Sequence, residues 1–383
     1  MKLKLNKKQF IQCWSLAERS TASSTSMSIL SSVFIKASDD EVTLQATDVK
    51  TSIICKASGV VVEEPGEAVF PVKGISEIFK KISCEDFSLI VDDSGKIIIK
   101  AGRGKYNFAS YPIREFPSLP SSEAARLFCT INAGDLSKVI EEGTLAASTG
   151  EEFPLYLSSA NFQTAGGILN IVSTDTRRLA ISGAVVSQSE EGASSLLPMK
   201  GIKEVQRILT SLEPESQIKI LYDDAQFYFS ADSLEFSVRR VESRFPPYEK
   251  IIPKGHTTNI SIDRGELISA LERVDVVVRD FNRMVILDIN AGEPLVLRGK
   301  APDFGLAKEE VSKSEIKGEN LTIAVNSKFF MEALKVMRDP EVMLSFNGSK
   351  GQMAVRRVDD DSFLCLIAPI NITEEELKMD EMA

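Results

Sequence analysis

Histidine is nearly missing from this chain: His256 is the only one in 383 residues. A Ser-His-Asp or Cys-His nucleophile would have a single conceivable base, and that base stands in a proline-rich linker. Cysteine is sparse as well. Cys13, Cys55, Cys84, Cys129 and Cys365 are odd in number, scattered and never spaced C-x-x-C. This excludes a disulfide framework and a cysteine zinc site and fits reduced thiols in the cytoplasm. No window approaches the roughly 18 apolar residues of a membrane span. The basic start Met1-Lys2-Leu3-Lys4-Leu5 is not followed by the apolar core of a signal peptide. There is no G-x-x-x-x-G-K-[ST] phosphate loop, and Gly102-x-Gly104 lacks the third glycine of a dinucleotide loop. Basic charge is short too: 45 Lys and Arg stand against 55 Asp and Glu, a net of −10. As a total, that argues against nucleic acid.

What the chain does have is a repeat. Phe70-Pro71-Val72-Lys73-Gly74-Ile75 returns as Leu197-Pro198-Met199-Lys200-Gly201-Ile202, a step of 127 positions. Thr47-Asp48 returns as Thr174-Asp175 at the same step. A third step lands in Ala324-Val325-Asn326-Ser327-Lys328-Phe329-Phe330, and three steps nearly fill the chain. Two separate anchors at one offset predict three copies of one domain. Proline- and serine-rich linkers at Phe116–Ser122 and Pro246–Gly255 set the boundaries. The domains are then 1–127, 128–255 and 256–373, with an acidic tail over 374–383.

Each copy shows the same signals in the same order. A β-like run opens it (Leu3 to Leu5, Cys129 to Ile131, Asn259 to Ile262), followed by a stretch of helical period. Asp135 and Asp263 are the expected N-caps of the second and third copies. Alternating strands follow, among them Val42 to Ala46, Leu155 to Leu157, Leu169 to Val172 and Leu295 to Leu297. A second helix starts at the repeated motif, and hairpins with polar tips (Asp92-Asp93-Ser94-Gly95, Asp223-Asp224-Ala225, Asn347-Gly348-Ser349) close the copy. Each domain reads as two β-α-β-β units, an α+β class with helices on one face of antiparallel sheets.

Acidic groups cluster at Asp39-Asp40, Asp92-Asp93, Asp223-Asp224 and Asp359-Asp360-Asp361. A two-metal nuclease or polymerase needs converging carboxylates, but acids that recur at hairpin tips read as turn residues, and so do Asp48 and Asp175. The charge is unevenly spread. The first helix carries Lys7, Lys8 and Arg19 against Glu18. The three second helices carry Lys73, Lys80 and Lys81 against Glu77; Lys200, Lys203 and Arg207 against Glu204; and Lys328, Lys335 and Arg338 against Glu332. Such faces are either ordinary solvated helix surfaces or a shared positive surface that meets phosphates without reading bases.

At this point the chain resembles the bacterial sliding clamps, the β subunits of DNA polymerase III. The resemblance rests on Ser173-Thr174-Asp175-Thr176-Arg177-Arg178-Leu179-Ala180, on Ser243-Arg244-Phe245-Pro246-Pro247-Tyr248-Glu249-Lys250-Ile251-Ile252-Pro253, on Ala101-Gly102-Arg103-Gly104-Lys105-Tyr106 and on the P-x-K-G motifs. It spans residues 1 to about 372. Departures stand at Thr176-Arg177, where the family has Gly-His, at Ser24 and Thr25, where it often has arginine, and at Ile370-Asn371-Ile372, where it ends Pro-Met-Arg-Leu.

The resemblance implies three clamp domains per chain and a head-to-tail dimer ring around duplex DNA. It implies a processivity factor without catalytic activity or cofactor, which tethers a replicative polymerase. The expected partners are a second copy, double-stranded DNA, the DNA polymerase III catalytic subunit, an ATP-dependent clamp loader and other proteins with a clamp-binding motif. No membrane is involved, and the compartment is the cytoplasm. Carried over by motif, the partner-peptide cleft is Leu157, Thr174, Thr176, Arg177, Arg178, Leu179, Pro246, Lys250, Ile251, Leu366, Ala368 and Ile370. The DNA-facing residues are Lys73, Lys80, Lys200, Lys203, Arg207, Lys328 and Lys335. The dimer interface joins Arg103, Lys105, Tyr106 and Phe108 on an edge strand of the first domain to Glu309 and Glu310, with Val276 and Val277 after the first helix of the third. The tail, with Glu374, Glu375 and Glu376, reads first as a solvated end; the alternative is that its glutamates visit Arg178 and Lys250 and compete mildly with incoming peptides. Two rivals stay open: a metal-dependent nuclease or polymerase, and a repeat scaffold without a DNA role.

Overall fold

The repeat in sequence is a repeat of structure. A computed structural model describes residues 1–22, 25–150, 152–302 and 304–373. Its first copy runs β1 (Lys2–Asn6), α1 (Lys7–Arg19), β2 (Ser32–Ala37), β3 (Val42–Thr47), β4 (Thr51–Lys56), β5 (Val60–Glu64), β6 (Gly66–Pro71), α2 (Val72–Lys81), β7 (Asp86–Val91), β8 (Lys96–Ala101) and β9 (Gly104–Ala109). The second runs β10 (Arg126–Asn132), α3 (Ala133–Gly143), β11 (Ser159–Ala165), β12 (Ile168–Thr174), β13 (Arg178–Val185), β14 (Gln188–Ser189), β15 (Ser194–Pro198), α4 (Met199–Leu209), β16 (Gln217–Tyr222), β17 (Gln226–Ala231) and β18 (Leu234–Arg239). The third runs β19 (Thr258–Asp263), α5 (Arg264–Val278), β20 (Met284–Ile289), β21 (Leu295–Ala301), β22 (Gly305–Val311), β23 (Ser314–Gly318), β24 (Leu321–Asn326), α6 (Ser327–Val336), β25 (Glu341–Phe346), β26 (Met353–Arg356) and β27 (Phe363–Ile367). The two β-α units of each copy are present, each with more strands behind its helix than the two that the alternation indicated.

Local chemistry explains the element ends. Asn6 caps α1 by accepting from the Gln9 backbone N–H, and Asp263 caps α5 by accepting from Glu266. Asp135 is not a cap. It lies inside the first turn of α3, because Ala133 and Gly134 give their N–H groups to the carbonyls of Ser216 and Pro214. Its carboxylate there still complements the helix N-terminus. Leu155 to Leu157 is not a strand either. Leu157 N–H bonds back to the Pro154 carbonyl at 3.0 Å, closing a 3-10 turn over Leu155–Ser158, and the strand starts at Ser159.

The chain packs as two compact units. One comprises Met1–Asp135, Val186–Ala193 and Lys200–Arg240, and the other Leu136–Val185, Ser194–Met199 and the residues from Val241 on. Neither unit coincides with one copy, since sheets run on from copy to copy. The first unit holds a five-stranded sheet, β5-β1-β7-β8-β9, and a nine-stranded one, β14-β10-β16-β17-β18-β4-β3-β2-β6. The second holds β15-β11-β12-β13-β27-β26-β25-β19-β23 and the four-stranded β22-β21-β20-β24. The first unit contains the β18·β4 seam, where Val238 faces Thr51 and Leu234 faces Cys55. The second contains the β13·β27 seam, where Arg178 faces Ile367 and Leu179 faces Leu366.

Helices pack against strands of these sheets. In the first copy α1 packs on α2 and on strands of both sheets. Phe10, Trp14, Phe70, Phe79 and Phe87 interlock edge to face there, and the indole N–H of Trp14 donates to Ser76 Oγ at 2.8 Å. That bond satisfies the one polar atom the buried ring carries. In the third copy Leu267, Leu271 and Val274 of α5 and Phe330 and Leu334 of α6 fill an aliphatic core with Ile260, Leu287, Leu297 and Leu344.

Candidate functional site

The most specific constellation lies at the second seam. Its centre is the β12–β13 turn, built by the repeated Thr-Asp pair. Thr174 Oγ1 donates to the Arg178 carbonyl at 2.7 Å and accepts from Thr176 N–H, while Asp175 Oδ1 accepts from the N–H groups of Arg177 and Arg178 at 3.0 Å each. The same bonds join Thr47, Asp48, Val49, Lys50 and Thr51 in the first copy. Val49 and Thr176, at the tips, both have positive φ, 74° and 73°. The repeated acid is a turn builder, as its placement after a strand suggested. The other acidic tips act alike: Asp92 accepts from Ser94 and Lys96, and Asp223 from Ala225, Gln226 and the Tyr228 hydroxyl. Among the described residues no three His, Cys, Asp or Glu side chains converge as a metal site.

Below the turn, Leu179 and Leu366 face each other across the seam and cluster with Val172 and Ala354. Phe245, Tyr248 and Ile252 pack on them from the Arg-Phe-Pro-Pro-Tyr segment, and the Tyr248 hydroxyl reaches Gln163 Oε1 at 3.2 Å. The corresponding pair at the first seam is Ser52 opposite Ser237. The fold is repeated, but at this position the second seam is apolar and the first is polar. Leu179 is 2% exposed and Ile251 49%, so the first is floor and the second an open lip. Leu157 is buried, and Ala368 N–H bonds the Arg177 carbonyl at 2.9 Å. Val172, Phe245, Tyr248 and Ile252 belong to this apolar cluster although the expected cleft residues did not include them; the aromatic residues of the segment were the signal for two of them.

Two expected members stand apart. Ile370 packs with Met284, Ile286 and Ala324, and its N–H bonds the Ala324 carbonyl at 2.7 Å, so it extends the third copy's own sheet. Arg178 is not a rim cation. Its guanidinium binds Asp175 at 2.9 Å and Glu332 at 2.5 Å and lies 4.2 Å from the Phe329 ring centre. It serves as an internal tie to α6; the tail glutamates expected beside it, in residues 374–383, lie outside the described residues. Arg177 and Lys250 are exposed, and among the described residues no carboxylate reaches either at ion-pair distance.

The expected DNA-facing side chains are all exposed, yet most are already neutralised. Lys200 meets Asp48 at 2.7 Å, Lys335 meets Glu272 at 2.7 Å, Lys80 meets Glu18 at 3.6 Å and Lys328 meets Glu332 at 3.8 Å, while Arg207 pairs with Glu204. The Asp48 carboxyl is held below its usual range: burial opposes this, but hydrogen bonds from Lys200 and Thr51 outweigh it. Lys73 and Lys203 have no such partner among the described residues. Counting each helix against its own acids overstates the positive surface, because three of these acids come from other elements.

The edge strands differ from expectation in detail. Val276 and Val277 lie in the last turn of α5, not after it, with Val276 48% exposed. Glu309 is held by a bidentate bond to Arg273 at 2.8 and 2.7 Å, which leaves Glu310 as the free acid. Phe281, Phe304 and Leu306 are further exposed apolar side chains, which neither periodicity nor motif singled out. On β9, Tyr106 is exposed, while the Phe108 ring lies so close over Gly74 that a Cβ there would sit 3.1 Å from it. The outer edges of β9 and β22 carry no strand among the described residues.

Comparison with known proteins agrees with this geometry. Sequence models of the DNA polymerase III beta subunit match in chain order: the N-terminal domain over residues 1–120, the central domain over 130–247 and the C-terminal domain over 249–371. The beta sliding clamp of Bacillus subtilis (strain 168) is 27% identical over 379 residues, covering 97% of this chain and 99% of that protein. The beta sliding clamp of Staphylococcus aureus (strain N315) is 28% identical over 357 residues, covering 90% and 93%. Among solved structures, the DNA polymerase sliding clamp from Bacillus subtilis superimposes with a TM-score of 0.91 at 26% identity, covering 97% of this chain and 100% of that one. The DNA polymerase III beta subunit from Thermotoga maritima gives 0.87 at 26% with the same coverage. With the three domain models taking up nearly its whole length in the right order, the chain belongs to the DNA polymerase III β-subunit family, the bacterial sliding clamps.

Proposed function

We propose that two copies of this chain close head to tail into a ring around duplex DNA, and that the cleft at the second seam holds the peptide through which a polymerase is tethered. As a sliding clamp the chain is a processivity factor of DNA polymerase, an accessory subunit and not the catalyst.

One observation carries the dimer. In both internal seams the last strand of one copy pairs with the fourth strand of its neighbour, β18 with β4 and β27 with β13. The two strands left without that partner are β9 and β22, the same two positions. A third seam of this kind needs a second chain, and two such seams close by two-fold symmetry. It also covers both open strand edges, which otherwise invite uncontrolled pairing. In the register of the first seam, the first residue of β4 faces the fifth of β18. Phe108 would then face Gly305 of the partner subunit, and Arg103 would come beside Glu310 of the partner subunit. Tyr106, Phe108, Val276, Phe304 and Leu306 supply the apolar centre.

Three domains, 1–127, 128–255 and 256–373, are the units of this reading, each contributing one five-stranded and one four-stranded sheet. Lys73 and Lys203, with the paired lysines around them, are the residues we assign to the DNA side. Weak, sequence-independent attraction suits a protein that slides. The sequence carries no G-x-x-x-x-G-K-[ST] phosphate loop, so we assign the opening of the ring to an ATP-dependent loader, and the reduced cytoplasm is the compartment its free thiols fit. The cleft offers an apolar floor for leucine and phenylalanine anchors and two free cations, Arg177 and Lys250, at its rim.

The test is retention on circular against linear duplex DNA after loading. Survival on the circle and loss from the linear form is the expected result. Equal loss from both refutes the ring and favours a scaffold. Metal-dependent turnover of DNA by the purified chain favours the enzyme instead.

A further inference from the structure

Two of the five cysteines are not scattered once the chain is folded. Cys13 on α1 and Cys55 on β4, 42 residues apart, bring their sulfurs within 2.9 Å inside the first copy. Both are reduced and buried. A disulfide bond measures about 2.05 Å, so the sulfurs need to approach by less than about 1 Å to become covalent. Among the described residues no other pair of cysteines is in hydrogen-bond contact: Cys129 and Cys365 are buried singly, and burial pushes each thiol up to about 12.

We propose that Cys13 and Cys55 are an oxidation site of this clamp, a dithiol that a peroxide converts into an intramolecular disulfide tying α1 to β4. The Cys55 thiol is pushed well above the ordinary thiol range, first by its hydrogen bond with Cys13 and then by burial. It keeps its proton, and Cys13, which has the larger open surface of the two, takes the first attack. Cys13, whose S–H donates to the Cys55 sulfur, attacks one oxygen of hydrogen peroxide as its proton leaves, the O–O bond breaks, and the leaving hydroxide takes that proton to become water. Cys13 is then a sulfenic acid. Cys55 sulfur attacks Cys13 sulfur, the S–O bond breaks, and a second water leaves with the Cys55 proton. Two thiols lose two electrons in all, and one peroxide becomes two waters. Burial makes the reaction slow and dependent on local opening of α1. The short separation makes the disulfide its end point, ahead of higher oxidation.

The site has a structural consequence. β4 is the strand that makes the first seam with β18, and α1 packs across β3 and β4. A crosslink between them closes a loop of the unfolded chain and stabilises the folded first copy.

The experiment uses the full chain, reduced and then exposed to hydrogen peroxide. The expected result is two fewer titratable thiols than the five of the sequence and a mass lower by two hydrogen atoms. Both reverse with dithiothreitol, and a single linked peptide contains Cys13 and Cys55. Trp14, next to Cys13 on α1, is the chain's only tryptophan; its fluorescence should report a melting midpoint a few degrees higher in the oxidised form. In Cys55→Ser the reaction should stop at a sulfenic acid on Cys13, trapped as a dimedone adduct. Five titratable thiols after peroxide overturn the proposal, and so does a crosslink or adduct centred on the half-buried Cys84. These readouts on the unmodified sequence stand even if Cys55→Ser fails to fold.

Discussion

The buried pair Glu142–Arg357 is the sharpest place to test how the second unit holds together. Glu142 on α3 is 2% exposed and Arg357, just past β26, is 5% exposed. Arg357 Nη2 donates to Glu142 Oε1 at 2.5 Å, and Ser182 Oγ donates to the other carboxylate oxygen at 2.6 Å. Arg357 also holds Asp339 at 3.1 Å and Ser362 at 2.9 Å. The two partners are therefore unequal. In Arg357→Leu, Glu142 keeps only a serine hydroxyl. A carboxylate so buried is left without its cation, and removing one partner of a buried pair costs roughly 3–5 kcal/mol. In Glu142→Leu the arginine still has Asp339, so the loss should be nearer about 2 kcal/mol. The double variant removes both charges and should lose only about 1–2 kcal/mol, since apolar replacements of buried pairs are often close to neutral. Urea unfolding of all four proteins, followed by far-ultraviolet circular dichroism with the slopes compared, closes the cycle. A coupling below about 0.5 kcal/mol refutes the argument, because sites that do not share a partner add within that margin.

Further outcomes follow from the other contacts. Val276→Asp puts a charge on an exposed apolar site of the proposed joint and should give monomers by sedimentation at low concentration; an unchanged mass rejects that joint. Ile251→Asp should weaken binding of a peptide with leucine and phenylalanine anchors by about 2 kcal/mol while leaving urea stability intact. Leu179→Ala is a poorer probe, since a floor residue loses about 2–5 kcal/mol of folding energy as well. Asp48→Asn frees the Lys200 ammonium, and DNA affinity at low salt should rise with a salt slope steeper by about 0.9; an unchanged slope removes Lys200 from the DNA side. Cys129 and Cys365 have folded-state pKa values raised from 9.0 to about 12. The stability they confer as neutral thiols is complete below about pH 9 and is lost as pH climbs from there toward 12. Melting midpoints should fall across that window, and Cys129→Ala with Cys365→Ala should flatten the fall.

The sequence by itself determined the repeat, the two helices of each copy, the starts of the second helices near the repeated motif and the turn-building role of Asp48, Asp92, Asp175 and Asp223. These are local matters. Apolar period, a Thr-Asp turn or an Asn-capped helix is decided by residues within a few positions, so near neighbours suffice to read them. The tail of the cleft motif was legible for the same reason, as a contiguous Arg-Phe-Pro-Pro-Tyr run. Only the tertiary structure decided which charges are free and which strands are open. Lys200 is neutralised by Asp48 from 152 positions away, and Arg178 by Glu332 from 154. Ile370 packs on Met284, Ile286 and Ala324 and gives its N–H to the Ala324 carbonyl, and two cysteines 42 residues apart come into contact. The open edges of β9 and β22 become meaningful only beside the two filled seams. Each of these depends on strand pairing between distant segments. The energy of a charge, a thiol or an unpaired edge is set by what the fold brings next to it, and the linear order of residues does not contain that distance.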